Sequence, residues 1–302
     1  MRCVRPLSAW QTDDGTIVFA ERGHIRRALT LRCGQCVGCR LERSRQWAVR
    51  CMHEASLHLL NSFVTLTYDD EHLAADRSLR YRDFQLFMKR LRKVKGPTRF
   101  YMCGEYGSKF DRPHFHACLF GAFFDDRVYF SNSPAGERLY RSRTLEGLWP
   151  HGFSSIGDIT FESAAYVARY CMKKVTGQLA DRHYEYVVPD TGEIVYRVPE
   201  FARMSNGGGK SKAGGIGAPW FKKFRADVFP GDYVVVRGVK CRPPRYYGQL
   251  LEMLDSDDWA GIVLQRSNMV TSEMLSDSTP ERLAVIEAVA LSKAKCLSRT
   301  LS

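Results

Sequence analysis

His114 and His116 lie two residues apart in the run Arg112-Pro-His-Phe-His-Ala-Cys-Leu-Phe120. Side chains alternate along a strand, so imidazoles at i and i+2 point the same way, roughly 7 Å apart by strand rise. That spacing lets both nitrogens converge on one metal ion. Phe115, Ala117 and Leu119 form the opposite, apolar face that a sheet buries. Chance gives roughly 0.2 His-x-His pairs in a chain of this composition, so the pair gains its weight from its company. Glu105 ends the predicted strand before the histidines. It is the leading third ligand, an oxygen donor that suits Mg²⁺ or Mn²⁺. Asp111, in the loop before Pro113, ranks second.

The segment Tyr166-Val-Ala-Arg-Tyr170-Cys-Met-Lys173 adds nucleophiles. At about 100° per residue, Tyr166, Tyr170 and Lys173 share one stripe of a helix. Ala164, Ala168, Cys171, Met172 and Val175 fall on the far side and supply the buried stripe. The tyrosines are thus left for chemistry rather than packing. A phenol has a pKa of about 10 and is a poor nucleophile near neutrality. Lys173 can stabilise a developing phenolate, and a metal held by the histidines can polarise the attacked phosphate.

Composition names the partner class. The chain has 302 residues, 45 Lys and Arg against 33 Asp and Glu, and a net charge of +12. Such an excess points to a polyanion, most often nucleic acid. The arginines interleave with aromatics, as in Arg77-Ser-Leu-Arg-Tyr-Arg82 and Arg242-Pro-Pro-Arg-Tyr-Tyr247. That mixture suits a single strand, whose bases stack on rings while cations hold phosphates. No apolar run of about 18 residues occurs, so no membrane span is expected. The N-terminus lacks the apolar core of a secretory signal, and the ten cysteines read as thiols or metal ligands in a reducing compartment.

The elements that must position these residues can be read from periodicity. Ser62–Tyr68 alternates and is β-branched, a strand; residues 81–95 form a helix with Phe84, Phe87, Met88 and Leu91 on one face, ended by Gly96-Pro97. Strands follow at 99–105 and 114–120, and a helix at about 162–175 carries both tyrosines. Residues 40–60 are helical, 121–160 read as irregular, and Pro189-Asp-Thr-Gly-Glu193 turns a hairpin between 184–188 and 194–198. Thr279-Pro280-Glu281 opens a helical tail. The expected fold is α+β, an antiparallel β-sheet with helices packed on one face. An N-terminal zinc-binding and basic helix segment (1–60), a catalytic core (61–178) and a C-terminal accessory region (179–302) make up the expected domains.

Phe63-Val-Thr-Leu-Thr67, Gly104-Glu105-Tyr106-Gly107 with Arg112-Pro-His-Phe-His116, and the two-tyrosine helix together resemble the three motifs of HUH endonucleases. The likeness is strongest to rolling-circle replication initiators of small single-stranded DNA phages, the gokushovirus branch of the microviruses. It covers about residues 33–175 well, and Gly215-Ile-Gly217 with Trp220 more weakly. The resemblance implies that His114, His116 and Glu105 hold a divalent metal and that Tyr166 or Tyr170 attacks a DNA phosphodiester. A 5′-phosphotyrosine would remain, and Lys173 would be the lysine of the helix. Two tyrosines imply a cycle in which one nicks the origin and the other cleaves the regenerated origin. The freed 3′-hydroxyl then attacks the first linkage, and joining needs no ATP. A host helicase and polymerase are the implied partners, in the cytoplasm of a bacterial host. Two alternatives remain: an HUH transposase or relaxase, and a zinc-stabilised single-stranded DNA-binding protein without catalysis.

Cys33-x-x-Cys36-x-x-Cys39 is a separate signal. Zinc takes four tetrahedral ligands. The resemblance to microvirus initiators, which share an early cysteine, makes Cys3 the fourth candidate, with Cys51 and His53 behind it. A ferredoxin-like cluster would need a cysteine where Arg43 stands. Gly207-Gly-Gly-Lys210-Ser211 lacks the first P-loop glycine, since position 204 is Met204, and no ATP site is expected.

Overall fold

The computed structural model describes residues 2–107, 110–170, 175, 177, 180–206 and 214–298, with side chains for all of these except 170 and 294–298. In chain order the elements are β1 (Leu7–Thr12), β2 (Ile17–Val18), β3 (Ile25–Leu31), α1 (Val37–Ala55), β4 (Asn61–Tyr68), α2 (Tyr81–Lys95), β5 (Arg99–Tyr106) and β6 (Pro113–Phe120). Next come β7 (Val128–Asn132), β8 (Arg138–Arg141), α3 (Arg143–Leu148), β9 (Gly152–Gly157), α4 (Phe161–Tyr170), α5 (Ala180–Tyr184), β10 (Glu185–Val187), β11 (Ile194–Tyr196) and β12 (Phe201–Met204). The chain finishes with α6 (Ala218–Val228), β13 (Val234–Val236), β14 (Val239–Cys241), α7 (Arg245–Leu254), α8 (Ser256–Asn268), α9 (Ser272–Ser276) and α10 (Pro280–Ser298). Two compact units result: Met1–Ser44 with Gly261–Ser302, and Arg45–Ala260. Compactness therefore divides the chain at other points than the segments expected at 1–60, 61–178 and 179–302.

The larger unit is built on a seven-stranded sheet of order β12-β5-β6-β4-β9-β8-β7. Every pairing in it is antiparallel. In β4, Val64, Leu66 and Tyr68 point to one face and Phe63, Thr65 and Thr67 to the other, as a two-residue period requires. On the first face α2 lays down Phe84, Phe87, Met88 and Leu91, all buried, at the i, i+3, i+4, i+7 spacing of an amphipathic helix. Phe84 meets Phe100 and Phe115 there, with ring centroids 5.3 and 5.7 Å away. Arg92, Lys93 and Lys95 occupy the last turn of α2, where cations complement the helix dipole. Gly96 ends the helix at φ 81°, its N–H donating to the Arg92 carbonyl.

A second core lies on the other face, where Ala48, Cys51 and Ala55 of α1 and Ala164, Val167 and Ala168 of α4 pack with Tyr101, Cys103, Cys118 and Phe120. The α+β class and the large antiparallel sheet match expectation, but the helices lie on both faces rather than one. Both faces of β5 and β6 are almost wholly apolar, so each needs a cover.

Residues 121–160, expected to be irregular, hold β7, β8, α3 and β9. The strand β9 pairs along β4 from Phe63↔Gly157 to Tyr68↔Gly152. Its sequence, Gly-Phe-Ser-Ser-Ile-Gly, has turn-like composition, and the edge of β4 makes it a strand. Gly152 is required: at φ +137° an added Cβ would lie 2.2 Å from the Asp69 nitrogen. The hairpin at β10 and β11 forms with Val187↔Ile194 nearest the turn.

In the smaller unit β1 pairs with β2 and β3 in a three-stranded sheet that periodicity along the chain does not announce. Cys3, Val4, Cys36 and Cys39 form a small buried cluster with Ile286 of α10 against it. Arg5 pairs with Glu287 at 2.9 Å and Arg2 donates to the Asp277 carbonyl at 2.8 Å, tying the N-terminus to the helical tail.

Candidate metal and nucleophile site

Sheet register brings the three predicted ligands together. Glu105 sits opposite His114 across the β5–β6 ladder, and Cys103 opposite His116, so all three ligands share one face. Glu105 Oε1 is 2.7 Å from His114 Nε2 and 3.1 Å from His116 Nε2. One ligand atom from each residue lies within 4.8 Å of the others, close enough for a single ion.

The far nitrogens define the protonation. His114 Nδ1 is 3.0 Å from the Arg112 carbonyl, which can only accept, so Nδ1 carries the proton. His116 Nδ1 lies 2.9 Å from Thr65 Oγ1, its cross-strand neighbour. Thr65 is a partner that sequence reading missed, because only the β4–β6 register puts it there. With Nδ1 protonated, each Nε2 presents a lone pair toward a buried carboxylate, an arrangement that calls for a cation between them. Burial pushes the Glu105 carboxyl up, but the imidazoles of His114 and His116 beside it outweigh burial and hold the carboxyl below its usual range. The donor set of two imidazoles and a carboxylate fits a divalent metal with open positions.

Asp111 stands apart from this group. It sits at φ 52° in the β5–β6 turn and pairs with Arg197, whose guanidinium also lies 4.6 Å over the Tyr106 ring. The turn itself closes with the Gly107 N–H donating to the Arg112 carbonyl at 2.9 Å, so that one carbonyl serves both turn and histidine.

Helix α4 delivers the first tyrosine. Ala164, Val167 and Ala168 are buried, as the far-side stripe predicts with Val167 added. Tyr166, half-buried, stands edge-on to His116 with ring centroids 5.0 Å apart at 85°. Tyr170 ends the helix, while its side chain and Lys173 lie outside the described residues.

The cysteines form a second group. Sγ atoms of Cys3, Cys33, Cys36 and Cys39 all lie within 4.8 Å of one another. Cys3 is 3.6 Å from Cys33 and 3.8 Å from Cys36. A tetrahedron of Zn–S bonds of about 2.3 Å has edges of about 3.8 Å, so the donor set fits zinc. Backbone N–H groups of Val4, Cys33 and Cys36 donate to these sulfurs at 3.3–3.4 Å. Burial pushes the Cys3 thiol up to about 12. At Cys36 burial is outweighed by backbone N–H groups, from Val4 first, and the thiol falls to about 6. Gly38 is needed for the approach, since an added Cβ would lie 2.0 Å from the Arg2 carbonyl. The runners-up sit elsewhere: Cys51 is in the second core of the sheet, and His53 stacks on Trp220 at 3.5 Å and bonds Tyr247 at 2.9 Å.

Known proteins share this part of the chain. Residues 61–175, the span that holds Glu105, both histidines and both tyrosines, match the family described as replication-associated protein ORF2. Replication-associated protein VP4 of Bdellovibrio phage phiMH2K is 33% identical over 271 residues, covering 86% of this chain and 80% of its own. Replication-associated protein ORF2 of Spiroplasma virus 4 is 33% identical over 285 residues, covering 86% of this chain and 83% of its own. Replication-associated protein ORF4 of Chlamydia phage 1 is 30% identical over 237 residues, or 76% of this chain and 55% of the relative. The chain belongs to this family of phage replication-associated proteins, of the gokushovirus type. No solved structure matches it. Among the described residues no helix is long and apolar enough to cross a membrane.

Proposed function

We propose that this chain is a metal-dependent DNA endonuclease and strand-joining enzyme that initiates and terminates rolling-circle replication at a single-stranded origin. The observation that carries the reading is the contact of Tyr166 with His116, which sets a phenol beside a ready-made cation site. Glu105, His114 and His116 would hold Mg²⁺ or Mn²⁺, which when bound supplies positive charge to a phosphate oxygen. Arg112 and Thr65 hold the two Nδ1 atoms and so keep both Nε2 atoms turned to the site.

In the nicking step the oxygen of Tyr166 or Tyr170 bonds to phosphorus and the P–O3′ bond breaks. The phenol gives up its proton and the departing 3′ oxygen gains one. A 5′-phosphotyrosine and a 3′-hydroxyl result, and Lys173 is the assigned partner of the phenolate. The second tyrosine repeats the cut after a round of synthesis, and the freed 3′-hydroxyl displaces the first. The phosphodiester's reactivity is conserved in the phosphotyrosine, so strand joining needs no ATP.

Residues 61–178 act as the catalytic core, and a structural zinc is assigned to Cys3, Cys33, Cys36 and Cys39. The names of the relatives favour replication over transposition or relaxase work. Host helicase and polymerase in the bacterial cytoplasm complete the assigned machinery. Incubation with a labelled single-stranded origin oligonucleotide and Mn²⁺ tests the reading. An SDS-stable protein–DNA adduct is expected, and binding without any adduct would leave a DNA-binding protein without catalysis.

A further inference from the structure

The face that carries Glu105, His114 and His116 is covered on one flank only. Helix α4 packs over β12, β5 and β6. On the other flank β4, β9, β8 and β7 frame a cavity of about 190 Å³ lined by Thr65, Thr67, Phe130, Arg141, Phe153 and Ser155. The register runs His116–Thr65–Ser155 in one row and His114–Thr67–Phe153 in the next. At about 4.8 Å per strand, the cavity starts one strand from the histidines and reaches Phe153 at about two.

Its lining has a particular chemistry. Phe153 and Phe130 are 64% and 49% exposed, large rings held out on a sheet surface beside a polar site. Arg141 directs Nε and Nη2 onto Glu146 Oε1, both at 2.7 Å. That contact fixes the plane of the guanidinium and balances its charge, leaving N–H donors suited to a neutral acceptor more than to a phosphate. Among the described residues the Thr67 and Ser155 hydroxyls make no hydrogen bond, so donors and acceptors line the same wall. Flat apolar faces with hydrogen-bonding edges suit an unpaired nucleobase. The cavity is below the roughly 300 Å³ of drug-sized pockets, which limits it to one ring system. A base in a duplex could not lay its face on either ring.

We infer that Phe153, Phe130 and Arg141 form a subsite for a single unpaired base of the DNA strand, within a few nucleotides of the phosphate that Tyr166 attacks. The subsite sets sequence preference at that position. It lies outside the segments that carry the histidines and tyrosines, and it rests on the DNA-binding part of the function proposed above.

The test uses full-length protein and short random-sequence single-stranded oligodeoxynucleotides with 5-iodouracil in place of thymine. Ultraviolet crosslinking followed by peptide mapping should place an adduct at Phe130 or Phe153. Phe153→Ala should lose it and bind the pool about tenfold more weakly, in line with the loss of one base stack. Phe153→Tyr should restore both. Because Phe153 is largely exposed, these variants should melt as the parent does. Undiminished binding by Phe153→Ala, with crosslinks that avoid β7 and β9, would overturn the subsite. A crosslink at Phe153 in a protein that forms no tyrosine adduct with Mn²⁺ would sink the nicking chemistry and leave the subsite standing. Failure to bind the pool at all would remove both.

Discussion

Tyr166 meets His116 edge to face, the ring centroids 5.0 Å apart and the planes at 85°. The contact joins two elements distant in sequence, because α4 buries Ala164, Val167 and Ala168 against the sheet and turns Tyr166 to the histidine face. Nucleophile and cation site are therefore set by one packing interface, and that interface is what substitutions should probe.

Either Tyr166→Phe or Tyr170→Phe alone should still permit a first nick, at unequal rates, since one phenol remains beside the site. The double substitution should leave no covalent adduct. Each single variant should fail at joining, which needs a free tyrosine while the other holds DNA. Tryptic mapping of the adduct and an assay for closed circles decide it: a DNA-linked peptide lacking both residues, or circles from a single variant, would contradict the two-tyrosine cycle.

Thr65 touches no ligand atom directly, yet it holds His116 Nδ1 at 2.9 Å. Thr65→Val keeps the shape and removes the hydroxyl, so metal affinity should fall about 10–100-fold. Mn²⁺ titration of cleavage should show a higher half-saturating concentration with recovery at excess metal, whereas His116→Ala should stay inactive while still binding single strands.

Purified protein should hold about one tightly bound zinc per chain. Cys36→Ser should lose it and destabilise the fold. Gly38→Ala keeps all four thiols but collides with the Arg2 carbonyl, next to Cys3, and should weaken zinc retention during chelator challenge. Zinc-free wild type that melts like Cys36→Ser would show the cluster to be idle.

Burial lowers His53 from 6.5 to about 4, so its ring stays neutral in the fold between those values while an unfolded chain takes up a proton. The stability that follows is fully present above pH 6.5 and is lost as pH falls toward 4, by an order-of-magnitude figure of about 3 kcal/mol. His53→Phe keeps a ring against Trp220 and cannot titrate. Denaturant unfolding at pH 7 and pH 4.5 should show a smaller loss for the variant than for the wild type; equal losses would place the acid sensitivity elsewhere.

Short-range pattern was enough for β4, α2, β5, β6 and the tail helix, and for the two histidines on one strand face. A period of two or 3.6 residues is a property of neighbours along the chain, and the caps Gly96 and Thr279-Pro280 are local too. The cysteine triplet and the tyrosine stripe were legible for the same reason. Pairing across the sheet was not. Gly152–Gly157 looks like a turn and becomes a strand because β4 offers it an unfilled edge. The two-faced cover of the sheet, the placing of Cys3 beside thiols 30 and more residues away, and the bond from Thr65 to His116 depend on which long-range contacts form. So does the meeting of Phe153 with Arg141 and Phe130, three residues on three strands whose shared wall exists only once register is set. Residue type and local spacing were sufficient to say which side chains can do chemistry and which elements carry them. Their partners came from the folded sheet, because register and edge pairing are settled by burial and hydrogen bonding across all of its strands at once.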